Sequence, residues 1–471
     1  MFSKDKVSRV LFMTGGGGRH RLFYEIAQEL KRRYMVEDYY ASFLPRNRKF
    51  LLDKKVDEDK IKDIKQLYSD TSKPDINYIR KCERNYELNI WDVWNVTRIR
   101  KEKRSKIPRE EVLSYFDYIF RKSEEILEEI KPDYLICYGV AGYHTITLYK
   151  VARKKGVEII LLKPASIKNN FVISNDLENN LPLLKLNYQK IKIKGLTDKE
   201  KEETSKFVQK FINKPEKAPM AAHPLSRYLK YKKIKRTLKG MAVDRKLPTF
   251  FFNEQYFKLR KWFFRNMNIF EFPKENEKFV LFPLHQQPEI STSIYGKWYM
   301  DQINTLQLLS KSIPVDYMLY VKEHFRYGNR NLSFYKEIKK LPNTRLISFH
   351  TNTFNLIKRC SLLATITGTM GFEALFFRKP VITFGNAFYN TFDEVEKIEK
   401  IAELPKIIEK KLEKGLINEE KLLEFMFAYQ NSFFEGIPRY PEACDDKSIE
   451  KENIIKLVDG IEDYLELIQE I

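Results

Sequence analysis

The chain has 471 residues, 43% of them hydrophobic and 14% aromatic, which is enough to bury the cores of two domains of roughly 200 residues each and excludes a disordered chain. Its 85 basic and 64 acidic residues give a net charge of +21, which favours an anionic partner such as nucleic acid, an anionic lipid surface or a phosphate-bearing substrate. The four cysteines lack CxxC spacing, so the sequence predicts neither a disulfide scaffold nor a zinc site. No apolar run approaches ~20 residues, and a cytoplasmic location is predicted.

The first half of the chain alternates strand patterns with helical patterns. Val7–Met13 predicts a strand, the four glycines Gly15–Gly18 predict a turn, and a helical pattern follows. Tyr134–Tyr138 and Val157–Leu162 predict two further strands with helices between them. The more polar stretch 34–104 predicts an insertion or acceptor-side structure. Alternation of this kind is typical of a doubly wound parallel sheet.

A basic aromatic segment, Lys214–Arg265, separates the two halves and interleaves Lys and Arg with Tyr, Phe and Trp. Three interpretations stay open. Its aromatic residues could pack inward as an interdomain segment, could lie at the surface of an anionic membrane, or could stack on single-stranded nucleic acid.

The second half repeats the alternation, with turn residues separating its predicted strands and helices more clearly. Helical patterns separate five predicted strands, and a charged helix is predicted at Ile449–Ile471. The strands are predicted at Lys278–Pro283, Tyr317–Val321, Arg345–Ser348, Leu362–Ile366 and Val381–Phe384. Five strands within about a hundred residues predict one Rossmann-like domain.

Polar residues follow three of these strands, where parallel sheets bind ligands. His285, Gln286, Gln287 and Glu289 follow the first; Lys322, Glu323 and His324 follow the second; Thr367, Gly368 and Thr369 follow the fourth, with Glu373 one turn into the next helix. A glycine turn that begins a helix offers N–H groups to phosphate, and Glu373 can accept hydrogen bonds from a ribose diol. The pattern favours a nucleotide-sugar site. The alternative is that the glycines only form the turn and the histidines are ordinary loop residues.

The same residues resemble a known family. PLHQQPE at 283–289, YVKEHF at 320–325 and TITGTMGFEALFFRKPVITFG at 365–385 resemble the capsular polysaccharide biosynthesis family of GT-B glycosyltransferases, relatives of bacterial Kdo transferases. The resemblance implies an α/β protein of GT-B type, with two Rossmann-like domains facing a cleft and C-terminal helices. Phe325 stands where the family carries a proline, so the donor stays open between a CMP-linked acidic sugar and a UDP-sugar.

The resemblance also implies a division of the chain. Residues 1–200 are predicted to form the acceptor-side domain, 201–272 a basic aromatic linker, 273–440 the donor domain and 441–471 a C-terminal helix. Metal-independent transfer onto a surface or lipid-linked glycan is implied, with no cofactor beyond the nucleotide-sugar and no nucleic acid. The chain carries no isolated Asp-x-Asp after a strand, which agrees with a site without metal.

Catalytic candidates are His285, which with Lys322 and His324 can stabilise the departing phosphate, and Glu289 or His20 as a base for the acceptor hydroxyl. Candidates on the acceptor side are Gly17, Gly18, Arg19 and His144. Two alternative functions remain. One is a nucleotide-sugar epimerase or polyol-phosphate polymerase on the same scaffold. The other is a nonenzymatic basic protein that binds nucleic acid or an anionic membrane. If the protein is the transferase, peripheral attachment to the inner face of the membrane is also expected.

Overall fold

The structure, a computed structural model, divides into two compact units. It describes residues 2–15, 19–64, 73–96, 107–140, 142–165, 169–215, 269–287, 289–324, 330–438 and 446–469. The first unit comprises Met1–Asn187 together with Gln430–Ile471, and the second comprises Tyr188–Tyr429. The basic aromatic segment lies outside the described residues apart from its first two positions.

The first unit contains a seven-stranded sheet flanked by helices. Its strands are β1 (Ser8–Thr14), β2 (Val36–Ser42), β3 (Ile61–Asp63), β4 (Tyr134–Cys137), β5 (Glu158–Pro164), β6 (Asn170–Ser174) and β13 (Phe434–Glu435). Its helices are α1 (Arg19–Arg33), α2 (Pro45–Asp53), α3 (Ile76–Asn85), α4 (Ile90–Val96), α5 (Arg109–Ile130), α6 (Tyr143–Lys154) and α16 (Lys451–Ile468), and α7 (Pro182–Lys194) crosses the boundary between the units.

The strand order of this sheet is β13-β6-β5-β4-β1-β2-β3. Strands β1 to β5 run parallel, while β6 and β13 add antiparallel pairs at one side. The prediction for 34–104 was an insertion or acceptor-side structure. Because β2 pairs with β1 along its whole length, its first part belongs to the sheet and is not an insertion, while an acceptor-side role stays a prediction. Asp38 is a charged residue within β2, and its carboxylate accepts from Lys31 Nζ at 3.0 Å and from the Tyr40 hydroxyl at 2.7 Å.

The C-terminal helix α16 packs into the core of the first unit. Leu457, Val458 and Ile461 are buried there among residues of β1 and α1. Arg33 of α1 forms ion pairs with α16, at 2.6 Å from Asp459 and 3.0 Å from Glu462. The chain therefore returns to its first unit after completing the second.

The second unit contains a six-stranded sheet. Its strands are β7 (Phe279–Pro283), β8 (Met318–Lys322), β9 (Thr344–Ile347), β10 (Leu362–Thr365), β11 (Val381–Thr383) and β12 (Val395–Lys397). Its helices are α8 (Asp198–Asn213), α9 (Ile290–Ser293), α10 (Gln302–Ser312), α11 (Leu332–Lys339), α12 (Thr353–Arg359), α13 (Thr369–Phe376), α14 (Leu404–Lys414) and α15 (Glu419–Gln430).

All pairings in the second sheet are parallel, in the order β12-β11-β10-β7-β8-β9. The strands are short apolar runs buried on both faces, as expected of a parallel sheet covered by helices. Side-chain caps set the helix starts: Asp301 accepts from the N–H groups of Ile303 and Asn304 at the start of α10.

The α/β class with two Rossmann-like units and a C-terminal helix is thus confirmed. The five predicted strands of the second unit are observed within about two residues of their predicted ends, and β12 is an additional edge strand. The chain passes from one unit to the other at 187/188 and 429/430, whereas the sequence analysis predicted domain boundaries at 200, 272 and 440. The difference at the C-terminus follows from the packing of α16 on α1. Among the described helices, none combines the length and apolar character that crossing a bilayer requires.

Candidate functional site

The second sheet has its topological switch point between β7 and β10. The chain proceeds from β7 to β8 and β9 on one side, and then crosses to β10, β11 and β12 on the other. Ligands of open parallel sheets bind at such a point, outside the carboxyl ends of the strands. His285 follows β7 here and Thr367–Thr369 follow β10, so the two predicted clusters lie at the position that the topology favours.

His285 is held in place from three sides. Its backbone N–H donates to Gln302 Oε1 at 2.7 Å, and its carbonyl accepts from Gln302 Nε2 at 3.0 Å. Its ring Nε2 lies 3.1 Å from Thr365 Oγ1, at the end of β10. The side chain is buried, and burial lowers the pKa of His285 to about 3, with the charges of His324 and Arg330 adding to the effect. The imidazole is therefore neutral at physiological pH.

The glycine turn after β10 is fixed by two hydroxyl groups. Thr365 Oγ1 accepts from the Gly368 N–H at 3.0 Å, and the Tyr389 hydroxyl donates to the Gly368 carbonyl at 2.6 Å. A Cβ at Gly371 would lie 2.3 Å from the Tyr389 hydroxyl oxygen, so this position requires glycine.

The turn leaves two backbone donors available. The Gly368 N–H is used by Thr365, and the Gly371 N–H donates to the Gly368 carbonyl at 3.0 Å. The N–H groups of Thr369 and Met370 have no acceptor among the described residues, and they begin α13, where the helix dipole favours an anion. An anion at the start of α13 would therefore meet the N–H groups of Thr369 and Met370, whereas that of Gly368 is already used.

Arg330 connects the ends of β7 and β8. Its guanidinium forms an ion pair with Glu323 and also donates to the carbonyl of His285. The Glu323 carboxylate, whose side chain is 0% exposed, also accepts the His324 N–H at 2.7 Å. The Lys322 ammonium, which is buried, donates to the Glu323 carbonyl at 3.2 Å. The predicted residues after β7 and β8 are therefore brought together by an arginine that the sequence analysis did not name.

The remaining predicted donor residues lie in the loops after β7 and β10 and in α13. Gln286 Oε1 is buried and has no donor among the described residues. Gln287 Nε2 donates to the Met300 carbonyl, and Thr367 Oγ1 donates to the Ser291 carbonyl at 2.8 Å, so both side chains anchor the loop between β7 and α10. Glu373 lies in α13. The pKa of Tyr389 is raised mainly by burial, and the negative charge of Glu373 raises it further. Glu289 is the N-terminal flanking residue of the short helix α9.

The other predicted residues belong to the first unit. Arg19 begins α1, with its guanidinium 4.5 Å from the centre of the Tyr138 ring. His20 is buried against Phe50, with ring centres 4.9 Å apart. His144 packs against Phe43 at 4.8 Å, and burial lowers its pKa to about 4, so it is neutral. Gly17 and Gly18 lie outside the described residues.

Four residues that the sequence analysis missed support the site: Gln302, Arg330, Thr365 and Tyr389. Thr365 carries a signal that could have been used, because a polar residue ends an otherwise apolar strand just before the glycine turn. The other three act through contacts that sequence spacing does not reveal. Within the part of the chain that the structure describes, no group of three or more His, Cys, Asp or Glu side chains could hold a metal ion.

Comparison with known sequences matches this part of the chain to a family. Residues 189–393 match the family described as "Capsule polysaccharide biosynthesis protein". The predicted resemblance to capsular polysaccharide biosynthesis proteins is confirmed. This match covers most of the second unit and all three quoted motifs.

Individual relatives are more distant. A stretch of 120 residues is 28% identical to Protein FixF of Sinorhizobium fredii and covers 25% of this chain and 29% of FixF, so the chain spans less than a third of that relative's length. The solved beta Kdo 2,7 transferase KpsC of Thermosulfurimonas dismutans is 13% identical, with 72% of this chain and 89% of that chain covered and a TM-score of 0.37. MurG of Acinetobacter baumannii is 10% identical, with 97% and 99% covered and a TM-score of 0.30.

Proposed function

We propose that this protein is a glycosyltransferase of capsular or related surface polysaccharide assembly, and that its nucleotide-sugar donor binds at the carboxyl edge of the second sheet. One observation carries the proposal. His285, Glu323 and the turn at Gly368 are tied into one hydrogen-bonded group at the switch point of a parallel sheet, within the segment that matches the capsule family.

The donor phosphates fit the start of α13. The N–H groups of Thr369 and Met370 provide two donors, and the positive charge of Lys322 lies at the end of β8. The Glu373 carboxylate can accept from the ribose hydroxyls, and the buried Gln286 Oε1 can accept from a base amine or a hydroxyl. The two N–H groups and the Lys322 ammonium would stabilise the negative charge that develops on the departing phosphate.

The chemistry of His285 follows from its burial. Because its pKa lies at about 3, His285 does not supply positive charge near neutral pH, contrary to one role considered from the sequence. We assign it a neutral hydrogen-bonding role that holds Thr365, and through it the Gly368 turn. Glu289 and His20 stay the candidate bases for the acceptor hydroxyl. The proposed transfer needs no metal, because the amides and Lys322 act on the phosphates.

A nucleotide panel tests the donor site. The full chain is heated with CMP, CDP, UDP, GDP or ADP, and a nucleotide that binds only the folded state stabilises it by about 2.7 kcal/mol at a hundredfold excess over its Kd. We expect one base to be selected, and His324→Ala to reduce that shift. The matched control is His350→Ala, an exposed histidine in the loop after β9.

Three results would count against the proposal. Absence of a shift with every nucleotide would refute the donor site, and an equal loss in His324→Ala and His350→Ala would refute its location. Incubation with the corresponding nucleotide-sugar and a glycan acceptor is expected to yield transferred sugar. Release of free nucleotide without transfer would favour the epimerase alternative.

A further inference from the structure

His144 lies at the carboxyl edge of the first sheet, at the switch point of that unit. The chain runs from β1 to β2 and β3 on one side of β1 and then crosses to β4 on the other. His144 is the second residue of α6, the helix that follows β4, and Phe43 directly follows β2. Their ring centres lie 4.8 Å apart, so the segments after β4 and β2 meet beyond the end of β1. Ligands of parallel sheets bind at such an edge.

Aromatic side chains from three helices lie around this histidine. The ring of Tyr143 meets that of His144 edge-on, with their centres 4.8 Å apart. Trp94 of α4 and Tyr115 of α5 lie 6.1 Å and 5.9 Å from the Tyr143 ring. Phe43, Trp94 and Tyr115 are buried, whereas the two residues that begin α6 are partly exposed. Tyr143 and His144 are therefore the part of this aromatic cluster that a ligand can reach.

The imidazole nitrogens of His144 are open to a hydrogen-bonding ligand. Within the part of the chain that the structure describes, the ring contacts aromatic side chains and neither nitrogen forms a hydrogen bond. Gly142 carries no side chain that would cover the ring, since a Cβ there would lie 3.8 Å from Nε2. A polar group enclosed by aromatic side chains is normally hydrogen-bonded, to protein or to solvent. A ligand that replaces solvent here therefore has to supply hydrogen-bonding groups of its own.

The charge state of His144 restricts the chemistry of that ligand. Burial lowers its pKa to about 4, so at pH 7 roughly one ring in a thousand is protonated. A neutral imidazole offers one N–H donor and one acceptor nitrogen, and a hydroxyl group likewise donates and accepts. The ring has no positive charge to offer an anion. It is also a weak proton acceptor near neutral pH, which favours a binding role over that of a catalytic base.

A neutral sugar has the required combination of groups. Small-molecule sites are lined mainly by apolar and aromatic side chains, with a few polar groups that fix the orientation of the ligand. The hydroxyl groups of a pyranose can pair with an imidazole, and its C–H faces can lie against aromatic rings.

We propose that His144 is the hydrogen-bonding residue of a sugar subsite at the carboxyl edge of the first sheet, and that this subsite takes a neutral pyranose of the glycan acceptor. The subsite is supported by contacts among described residues of the first unit alone. That its sugar belongs to the acceptor rests on the proposed function.

The histidine signals of the full chain in nuclear magnetic resonance test the subsite. The chain has six histidines, so isotope labelling at histidine Cε1 gives six ring signals, and His144→Gln identifies the one from His144. The probes are methyl β-D-glucoside, methyl β-D-galactoside and N-acetyl-D-glucosamine at millimolar concentrations, with D-glucuronate as a charged comparison. We expect at least one neutral sugar to shift the His144 signal saturably, and the signal not to titrate near neutral pH.

A matched pair of variants tests the contribution of the ring nitrogens. His144→Phe keeps an aromatic ring and removes both nitrogens, so we expect sugar affinity, followed by saturation transfer to the sugar, to fall at least tenfold. His144→Gln keeps a donor and an acceptor and should lose less. The control is His350→Phe, which changes an exposed histidine whose ring also lies against an aromatic neighbour, 3.9 Å from Phe349. It should bind sugar as wild type does.

The outcomes separate this proposal from the proposed function. Absence of a saturable shift with every neutral sugar overturns the subsite, and so does equal affinity in wild type and His144→Phe. A shift caused only by glucuronate overturns its preference for a neutral sugar, and a shift caused only by nucleotides assigns it to the donor instead. If the nucleotide panel fails while a neutral sugar still shifts the His144 signal, the transferase function fails and the subsite stands. Should His144→Phe melt earlier than wild type, the shift in the wild-type chain and the loss in His144→Gln decide.

Discussion

Substitution of Arg330 by methionine should destabilise the second unit by about 3–5 kcal/mol. The magnitude follows from burial, because the Glu323 side chain is 0% exposed and that of Arg330 is 13% exposed. Removing the guanidinium leaves a carboxylate without its counter-charge inside the protein, and it also removes a donor to the His285 carbonyl. Such a loss is several times larger than that of an exposed ion pair, which contributes about 0–1 kcal/mol.

Two further variants isolate the cause. Lys340→Met removes a lysine whose pair with Glu337 is exposed on both sides, at 68% and 43%, and should cost less than about 1 kcal/mol. The double variant Glu323→Gln/Arg330→Met buries no net charge, so we expect it to be more stable than Arg330→Met alone. Recovery in the double variant would identify the buried charge, and not lost packing, as the cause.

The assay should report the second unit by itself. Urea unfolding gives the overall free energy, and amide hydrogen exchange in β7 and β8 localises the effect. We expect faster exchange in both strands of Arg330→Met, together with weaker nucleotide-induced stabilisation. The reasoning would be refuted if Arg330→Met cost no more than Lys340→Met, or if the double variant were less stable than the single one.

Three other predictions follow from specific contacts. The pKa of His285 is about 3 in the folded state and 6.5 ordinarily, so the unfolded state binds the proton first as pH falls. About 2 kcal/mol of the stability present above pH 6.5 is therefore lost by pH 5. In urea unfolding, the stability of His285→Gln should depend less on pH over this range. Gly371→Ala places a Cβ 2.3 Å from the Tyr389 hydroxyl oxygen and should cost about 1–3 kcal/mol, with partial recovery in Gly371→Ala/Tyr389→Phe when melting is compared; no recovery would contradict the contact. Gly460→Ala places a Cβ 2.7 Å from Phe171 Cζ, so proteolysis should release the C-terminal helix more readily than in wild type, and an unchanged digestion rate would argue against that packing.

The fold of the second unit could be predicted closely because its strands are short apolar runs bounded by turn residues. Val381 begins a strand after Lys379-Pro380, and the structure begins β11 at the same residue. In the first unit, β2 carries Glu37 and Asp38, which are uncommon in strands. The carboxylate of Asp38 is stabilised by hydrogen bonds from Lys31 and Tyr40. Because Lys31 belongs to helix α1, this stabilisation comes from outside the strand, and the local sequence pattern alone did not predict β2.

The candidate site shows what the net charge alone could not distinguish. A net charge of +21 predicts an anionic partner but does not say which of the cations would meet it. In the second unit the structure separates them by their partners: Arg330 is neutralised by the buried Glu323 and positions the loop ends, while the Lys322 ammonium donates to the Glu323 carbonyl at 3.2 Å. The proposed phosphate donors are mainly backbone amides, so substitution of Arg330 should change the stability and position of the loop ends, and it should lower nucleotide affinity only through them.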